Sequence, residues 1–423
     1  MTSEGRPGTT RTPFAAFEVH DFRWLAVANF AQWGAWIMET LIQGWLVLQL
    51  TNSPVWVGAA AGVRGLTMLL FSLVGGSIAD RVDRRKLLIV ANLLGAAVAV
   101  GIATLVLASW IELWHVLVSL AIGGIVSGTV APTFGALTFD VVGVGRILGA
   151  NSFYLLSGAG VRIVMALIGG LVLDRLGVGP SFLISAAAYG LAAVGIAPLR
   201  APRVEAHSEL PLAALRSGLR YAAGTPAIRR LLTVSLITET FGFAYVFMLP
   251  VLARDVLNVG AIGLGYLTAA IAVGALTAML ILTWRGDVRQ KGRLLAGSAI
   301  LFGCAVSALA LSPWFALSLV LAAVVGGGSS LYDTAITSVV QVTVSAEMRG
   351  RVLGLVAATF GSAQLGAFAA GALASVIPLP FALALFGAVV AANGVWLIPQ
   401  ARHLGTGRAA SVAVPRHTGG STD

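Results

Sequence analysis

The sequence predicts an all-α membrane protein with twelve transmembrane helices in two pseudo-symmetric six-helix bundles. Three observations support this prediction. Only 10% of the 423 residues are charged while 58% are hydrophobic, and the mean hydropathy is +0.92. Apolar runs of about 20 residues, the length that crosses a bilayer core, recur along the whole chain. One long polar stretch near the middle separates the first six runs from the last six.

The apolar runs are continuous and rich in Ala, Leu, Val and Gly. They lack the alternating polarity of transmembrane β-strands, so we expect helices. The predicted spans are 22–49, 55–79, 87–109, 113–139, 147–173, 179–199, 228–252, 261–284, 294–312, 315–343, 352–377 and 379–399. The predicted organisation is an N-terminal tail (1–21), a first six-helix bundle (22–199), a linker (200–227), a second six-helix bundle (228–399) and a C-terminal tail (400–423).

The basic residues predict the orientation of these spans. Of the 27 basic residues, all but Arg64, Arg162, Arg175 and Arg254 lie on the side that holds the N-terminus. Because basic loops are retained in the cytoplasm, we expect both tails and the linker to be cytoplasmic and the protein to lie in the inner or plasma membrane. The net charge of +10 is thus explained by topology and does not indicate binding to nucleic acid.

A motif follows the second predicted span. Residues 76–86 read GSIADRVDRRK. They resemble the G-x-L-A-D-R-x-G-R-R/K loop that the major facilitator superfamily carries between its second and third spans. Asp83 stands where that motif has glycine. The motif residues singled out are Gly76, Asp80, Arg81, Arg84 and Arg85.

Further stretches resemble one exporter branch of that superfamily, which includes enterobactin exporters and macrolide efflux proteins. They are WLVLQLTNSP at 45–54, GANS at 149–152, Gln341 and EMRGRV at 347–352, and the similarity runs from about Phe22 to Pro399. The resemblance implies a secondary exporter of the major facilitator fold that works by alternating access. Two features depart from this resemblance. Residues 165–170 of the fifth span read MALIGG where antiporters have G-P-x-x-G-G. In the first span, Glu39 stands where the exporter branch usually has Gln.

The loop motif suggests a latch between the two halves. We expect Asp80 to face the positive N-terminal end of the eleventh span near Val352, and Arg84 or Arg85 to pair with Asp140. The alternative is that these charges only set the topology.

Five ionisable residues lie inside the predicted spans and are candidates for coupling or gating. Because charges are costly in hydrocarbon, they must face the protein interior or water. Glu39 and Arg64 lie at equal depth on the first and second spans, which favours a pair with either a structural or a gating role. A second pair, between Arg162 and Asp333, is expected across the cavity. Glu239 of the seventh span has no evident basic partner and is a candidate proton carrier, or else a permanently neutral carboxyl.

A polar and aromatic stripe on the first span predicts a substrate site. Asn29, Gln32, Trp33, Trp36, Glu39, Thr40 and Gln43 share one face of a helix, which lipid would exclude. The resemblance implies that spans one, four, seven and ten line the cavity and that spans three, six, nine and twelve are the outer ones. The predicted substrate-binding residues are Trp33, Trp36, Gln43, Phe243, Thr337 and Gln341. Helix packing is the alternative role for the two tryptophans.

The expected substrate is a small amphipathic molecule, drug-like or macrolide-like, with a siderophore as the rival. A non-transporting membrane receptor or assembly subunit is the alternative from another class.

No Walker-type phosphate loop occurs, and the five histidines lack metal-ligand spacing. We therefore expect no cofactor, no metal and no enzymatic activity. The expected partners are the substrate, protons as the coupling ion and membrane lipid, and the expected state is a monomer.

Overall fold

A computed structural model describes residues 15–79, 82–143, 145–199, 219–286 and 288–401. Throughout these ranges the regular structure is helical. In the first half, a 3₁₀ turn (Ala15–Glu18) precedes six helices. These are α1 (His20–Thr51), α2 (Pro54–Ala79), α3 (Arg84–Leu107), α4 (Leu113–Val142), α5 (Ile147–Leu176) and α6 (Val178–Ile196).

The second half also contains six spans. They are α7 (Pro226–Val256), α8 (Gly260–Arg285), α9 (Lys291–Ala310), α10 (Phe315–Thr343), α11 in two pieces (Ala346–Thr359 and Ser362–Leu373) and α12 (Leu379–Ala401). Each predicted span corresponds to one of these helices, and the predicted all-helical fold is confirmed. Residues 1–14, 200–218 and 402–423, which hold both tails and most of the linker, lie outside the described residues.

Eleven of the described helices are long and apolar enough to cross a membrane. The exception is α1, whose polar stripe lowers its hydropathy although its 32 residues exceed the length of a span. A helix of this kind crosses a membrane only when its polar face is covered by protein or water. Two-thirds of the way along α1, Glu39 is indeed buried by neighbouring helices.

Two of the helices have interruptions that the sequence analysis did not address. In span seven, predicted over 228–252, π-helical turns occur at Thr238–Gly242 and Leu252–Val256. Span eleven, predicted over 352–377, begins at Ala346 and breaks at Phe360 and Gly361. A side chain at Gly361 would clash with Leu69 of α2, so the break is where the two helices approach closely. Hydrophobicity alone does not encode such interruptions.

The halves meet mainly through two pairs of helices, α2 with α11 and α5 with α8. We call the membrane face at which α1 begins the terminal face, and the opposite one the distal face. Towards the distal face, a Cβ on Gly58 of α2 would lie 3.0 Å from Gly371 Cα of α11. Likewise, a Cβ on Gly170 of α5 would lie 2.8 Å from Gly265 Cα of α8. Glycines allow these backbones to approach closely and bring the halves together here.

A charged side chain also joins the two halves at the distal face. Arg254, near the distal end of α7, donates from Nη1 to Leu48 O and to Asn52 Oδ1, both at 3.0 Å. Asn52 ends α1 in the left-handed conformation, with φ of 51°. The guanidinium therefore lies at the negative end of the α1 dipole, where a cation is stabilised.

Replacement of Gly58 by Val is expected to open the distal face. The new Cβ would lie 2.6 Å from Ala367 O, so α2 and α11 would have to separate. Spin labels at Trp110 and Trp314, two exposed positions at the distal ends of the halves, measure the separation after Cys304→Ser removes the native thiol. We expect a longer-distance population. Gly101→Val is the control, because nothing lies within 4 Å of its Cβ; equal distance distributions in both variants would contradict the assignment.

Candidate functional site

The predicted contact between Glu39 and Arg64 is present inside the first half. Arg64 Nη2 lies 3.8 Å from Glu39 Oε2, and both residues are almost fully buried. Gln43 bridges them: its Nε2 donates to Glu39 Oε1 at 2.9 Å, and its Oε1 accepts from Arg64 Nη1 at 2.9 Å. Gly123 of α4 leaves room for the pair. Each charge thus has an opposite charge and a hydrogen bond, which offsets the cost of desolvation.

Tyr189 of α6 completes this cluster and was missed by the sequence analysis. Its hydroxyl donates to Glu39 Oε2 at 2.6 Å, a short charge-assisted bond. The resemblance had placed span six on the outside, so no residue of it was singled out. A tyrosine in the middle of an apolar span was the available signal, because a buried hydroxyl requires a partner.

A cavity of about 300 Å³ lies beside this cluster, between α1 and α4. Trp33 and Trp36 line it as predicted, and their rings meet edge to face with centroids 5.5 Å apart. Tyr189 contributes to both the cavity wall and the buried cluster. The lining comes from the first half: Asn29, Gln32, Trp33, Trp36, Met68, Val126, Ser127, Val130, Ala131, Phe134, Gly135 and Tyr189.

The other predicted substrate-binding residues lie elsewhere. Gln43 belongs to the Glu39 cluster rather than to the cavity. Phe243 packs on Phe302 of α9, with ring centroids 5.0 Å apart. Thr337 donates to Asp333 O at 2.9 Å within α10, and Gln341 is exposed towards the terminal face. None of these four residues lines the cavity between α1 and α4.

The second half holds two acids close to each other. Glu239 is 3% exposed, and its Oε1 has no hydrogen-bond partner among the described residues. Asp333 Oδ1 of α10 is likewise unpartnered within the described structure. The two carboxyl groups lie within electrostatic reach of each other. The arrangement differs from the first half, where the acid has a guanidinium partner.

Arg162 of α5 is the basic residue that acts on this pair. Its charge attracts Asp333 across the interface between the halves, but no direct salt bridge joins the two described side chains. The predicted link between Arg162 and Asp333 is therefore electrostatic rather than a contact. Within the described residues, no basic side chain forms a salt bridge with Glu239.

Glu239 lies in the first π-helical turn of α7, and side chains of three helices hold that turn. Asn393 of α12 donates from Nδ2 to Val234 O and to Thr238 Oγ1, both at 3.2 Å. Tyr332 of α10 donates to Val234 O at 3.4 Å. From α11, Ser362 accepts from Thr240 at 2.9 Å. Single π-helical turns are rare and frequently occur at functional sites.

The loop motif is only partly described, since Asp80 and Arg81 lie outside the described residues and Gly76 lies in α2. Asp83, the departure from the motif, caps α3 by accepting from the backbone N–H of Arg85 and Lys86. The expected contact with Asp140 is made by Arg84, at 2.7 Å. Arg85 instead donates to Ala197 O at the end of α6.

A family profile described as transmembrane secretion effector matches residues 11–412. The chain belongs to this family. Similar proteins include the multidrug efflux pump Tap of Mycolicibacterium fortuitum, 27% identical over 79% of this chain and 84% of the pump. The enterobactin exporter EntS of Shigella flexneri is 26% identical over 77% of this chain and 79% of the exporter. The chain is a major facilitator superfamily exporter with a multi-pass membrane location.

Solved structures share this fold. A bacterial homologue of the human lysosomal transporter Spinster, inward-facing and unoccupied, matches with a TM-score of 0.68 and 15% identity over 93% of this chain and 96% of that chain. An auto-inhibited POT family peptide transporter matches with a TM-score of 0.73 and 14% identity over 90% and 97%. At these identities the likeness concerns the fold alone, and the major facilitator fold is confirmed.

Removal of Arg64 alone is expected to destabilise the first half. Arg64→Met leaves the Glu39 carboxylate buried without its cation, which costs about 3–5 kcal/mol in comparable cases. The double variant Glu39→Gln with Arg64→Met removes both charges and should recover most of that loss. Thermal melting of the purified protein in detergent measures both. Arg175→Met is the control, since the Arg175 side chain is 73% exposed; equal melting temperatures for Arg64→Met and the control would contradict the role of the pair.

Proposed function

We propose that this protein is a secondary exporter that moves a small amphipathic molecule out of the cytoplasm by alternating access. The terminal face, which carries most of the basic residues, is then the cytoplasmic one. The described conformer has its halves joined at the distal face, while the cavity residues lie in the halves of α1 and α4 nearer the terminal face. This arrangement fits a substrate-loading state that faces the cytoplasm.

The observation that carries the proposal is the aromatic cavity between α1 and α4. Its volume of about 300 Å³ and its lining of tryptophan, phenylalanine, tyrosine and short polar side chains suit an apolar molecule with a few hydrogen-bonding groups. None of the described lining residues is charged. A drug-like or macrolide-like molecule therefore fits better than a strongly anionic siderophore, which would require basic side chains.

Proton coupling is proposed to depend on Glu239, with Asp333 as its neighbour. Glu239 has an unpartnered oxygen, lies deep in the membrane span and lacks a basic partner among the described residues. A buried acid of this kind holds a proton readily and releases it when water or a cation reaches it. Arg162, across the interface between halves, supplies a cation whose distance changes as the halves move. Substrate and proton would thus occupy different halves.

The coupling role is tested with Glu239→Gln, which keeps the side-chain shape but cannot release a proton. Cells that lack their own efflux pumps and express the wild type should accumulate less erythromycin or ethidium than empty-vector cells, and a protonophore should abolish the difference. For Glu239→Gln we expect high accumulation with and without the protonophore. Asp174→Asn, at the distal end of α5, serves as the control. Protonophore-sensitive export by Glu239→Gln would refute its role as carrier.

The substrate cavity is tested separately with Trp33→Ala and Trp36→Ala. Loss of one aromatic wall should weaken binding of erythromycin or ethidium to the purified protein by about five- to thirtyfold, as expected for a buried tryptophan contact. Trp396→Ala removes an exposed tryptophan of α12 and should leave the dissociation constant unchanged. Calorimetry or fluorescence titration gives these constants. If both cavity variants bind as the wild type does, the substrate binds elsewhere.

A further inference from the structure

Asn393 is a polar residue in an otherwise apolar part of α12. Residues 379–398 of this helix contain no other residue with a polar side chain. The side chain is buried, with 7% exposed. An amide inside a membrane span is retained only where it finds hydrogen-bond partners.

These partners lie on α7, immediately before Glu239. Asn393 Nδ2 donates to Val234 O and Thr238 Oγ1. At the same place the Thr238 N–H is shared between Val234 O and Ser235 O, which marks the junction of the α-helix with the π-helical turn. Because a π-helical turn is unfavourable in isolation, contacts from neighbouring helices must stabilise it.

The geometry points to Asn393 as a positioning residue for transport, which holds the Thr238–Gly242 turn so that Glu239 faces Asp333. This inference rests on the proposed coupling role of Glu239. An ordinary α-helix through residues 234–243 would rotate Glu239 away from its present direction, since a π-helical turn accommodates an additional residue. Asn393 touches neither the substrate cavity nor the carboxyl group and acts through the backbone of α7.

Several helices surround Glu239 and its turn, and Asn393 is the contribution of α12. The charged and titratable groups that face it are Asp333 and Tyr332 of α10, with Arg162 of α5 and Tyr245 of α7 acting through Asp333. From α11 come the hydroxyls of Thr359 and Ser362, and from α9 the ring of Phe302 packs on Phe243 and at Gly242. Among the described residues of α12, Asn393 alone donates a side-chain hydrogen bond to α7.

The corresponding helix of the first half offers a comparison. There α6, the sixth helix, donates from Tyr189 directly to the Glu39 carboxylate. In the second half the sixth helix donates to the backbone beside the acid instead. The first arrangement occupies the carboxylate, whereas the second fixes its position and leaves an oxygen available for a proton.

The test uses Asn393→Leu, which keeps the branched shape of the side chain and removes both donations. Hydrogen exchange of the peptide 234–243 in the purified protein measures whether the turn is held. We expect faster exchange in Asn393→Leu and no change in Asn92→Leu. Asn92 is the matched control, a buried asparagine of α3 whose amide donates to Leu88 O of its own helix. Thr238→Val removes one of the two acceptors and should show a smaller increase.

Transport measures the consequence. Protonophore-sensitive export of ethidium or erythromycin should fall between about tenfold and a hundredfold in Asn393→Leu, as for other misplaced reactive groups. The KM for the exported compound should stay within about twofold of the wild-type value, because the substrate cavity lies in the first half and Asn393 in the second. In a double variant with Glu239→Gln, the losses should not multiply, since both changes act on one group.

Unchanged exchange in residues 234–243, or multiplying losses in the double variant, would overturn the inference. Failure of the proposed function gives a different result: Glu239→Gln alone would export normally and in a protonophore-sensitive manner, while exchange in Asn393→Leu would still be faster. If Asn393→Leu does not reach the membrane, hydrogen exchange of residues 234–243 is measured in Thr238→Val instead. A wild-type rate of exchange in Thr238→Val then counts against the inference.

Discussion

Burial of ionisable groups in helices that lie in hydrocarbon is the constraint from which most of this structure follows. A charge in that environment needs an opposite charge, a full set of hydrogen bonds or access to water. In the first half, Glu39 and Arg64 satisfy one another with the help of Gln43 and Tyr189. This requirement brings four side chains from α1, α2 and α6 to one point and fixes how those helices pack.

The same constraint is met differently in the second half. Glu239 and Asp333 are both acids, and Arg162, a cation that acts on Asp333 without a salt bridge between the described side chains, belongs to the other half. A pair of acids is acceptable only if at least one is protonated or if water reaches it. The second half is thus more sensitive to the arrangement of the halves than the first, because movement of α5 changes the cation that stabilises Asp333.

Close packing of the halves depends on glycine rather than on charge. Gly58 with Gly371, and Gly170 with Gly265, allow two pairs of helices to approach to backbone contact near the distal face. Lipid supplies little hydrophobic drive for helix association, so such contacts rely on van der Waals packing and are easily exchanged for others. A weak, shape-based seal of this kind is compatible with the alternating access that we propose. Arg254 adds a polar contact between the halves at the same face.

The amino-acid sequence by itself determined the class of protein, the number and order of the spans, and which residues had to be shielded from lipid. These properties follow from hydropathy and length, which are local along the chain. The pairing of Glu39 with Arg64 was also predictable, because two opposite charges at equal depth on adjacent helices leave few alternatives.

Only the tertiary structure decided the rest. Tyr189 and Asn393, on helices expected to lie outside, were identified by the partners they reach across the bundle. The π-helical turn at Glu239 was likewise not predictable, since contacts from α10, α11 and α12 stabilise a backbone that local propensity disfavours. Hydropathy reports how strongly a residue avoids water, but the direction of a side chain and the identity of its partner depend on how distant helices pack. For this reason the candidate residues came from the sequence, whereas their grouping into a cavity, a closed charge cluster and an acidic pair came from the fold.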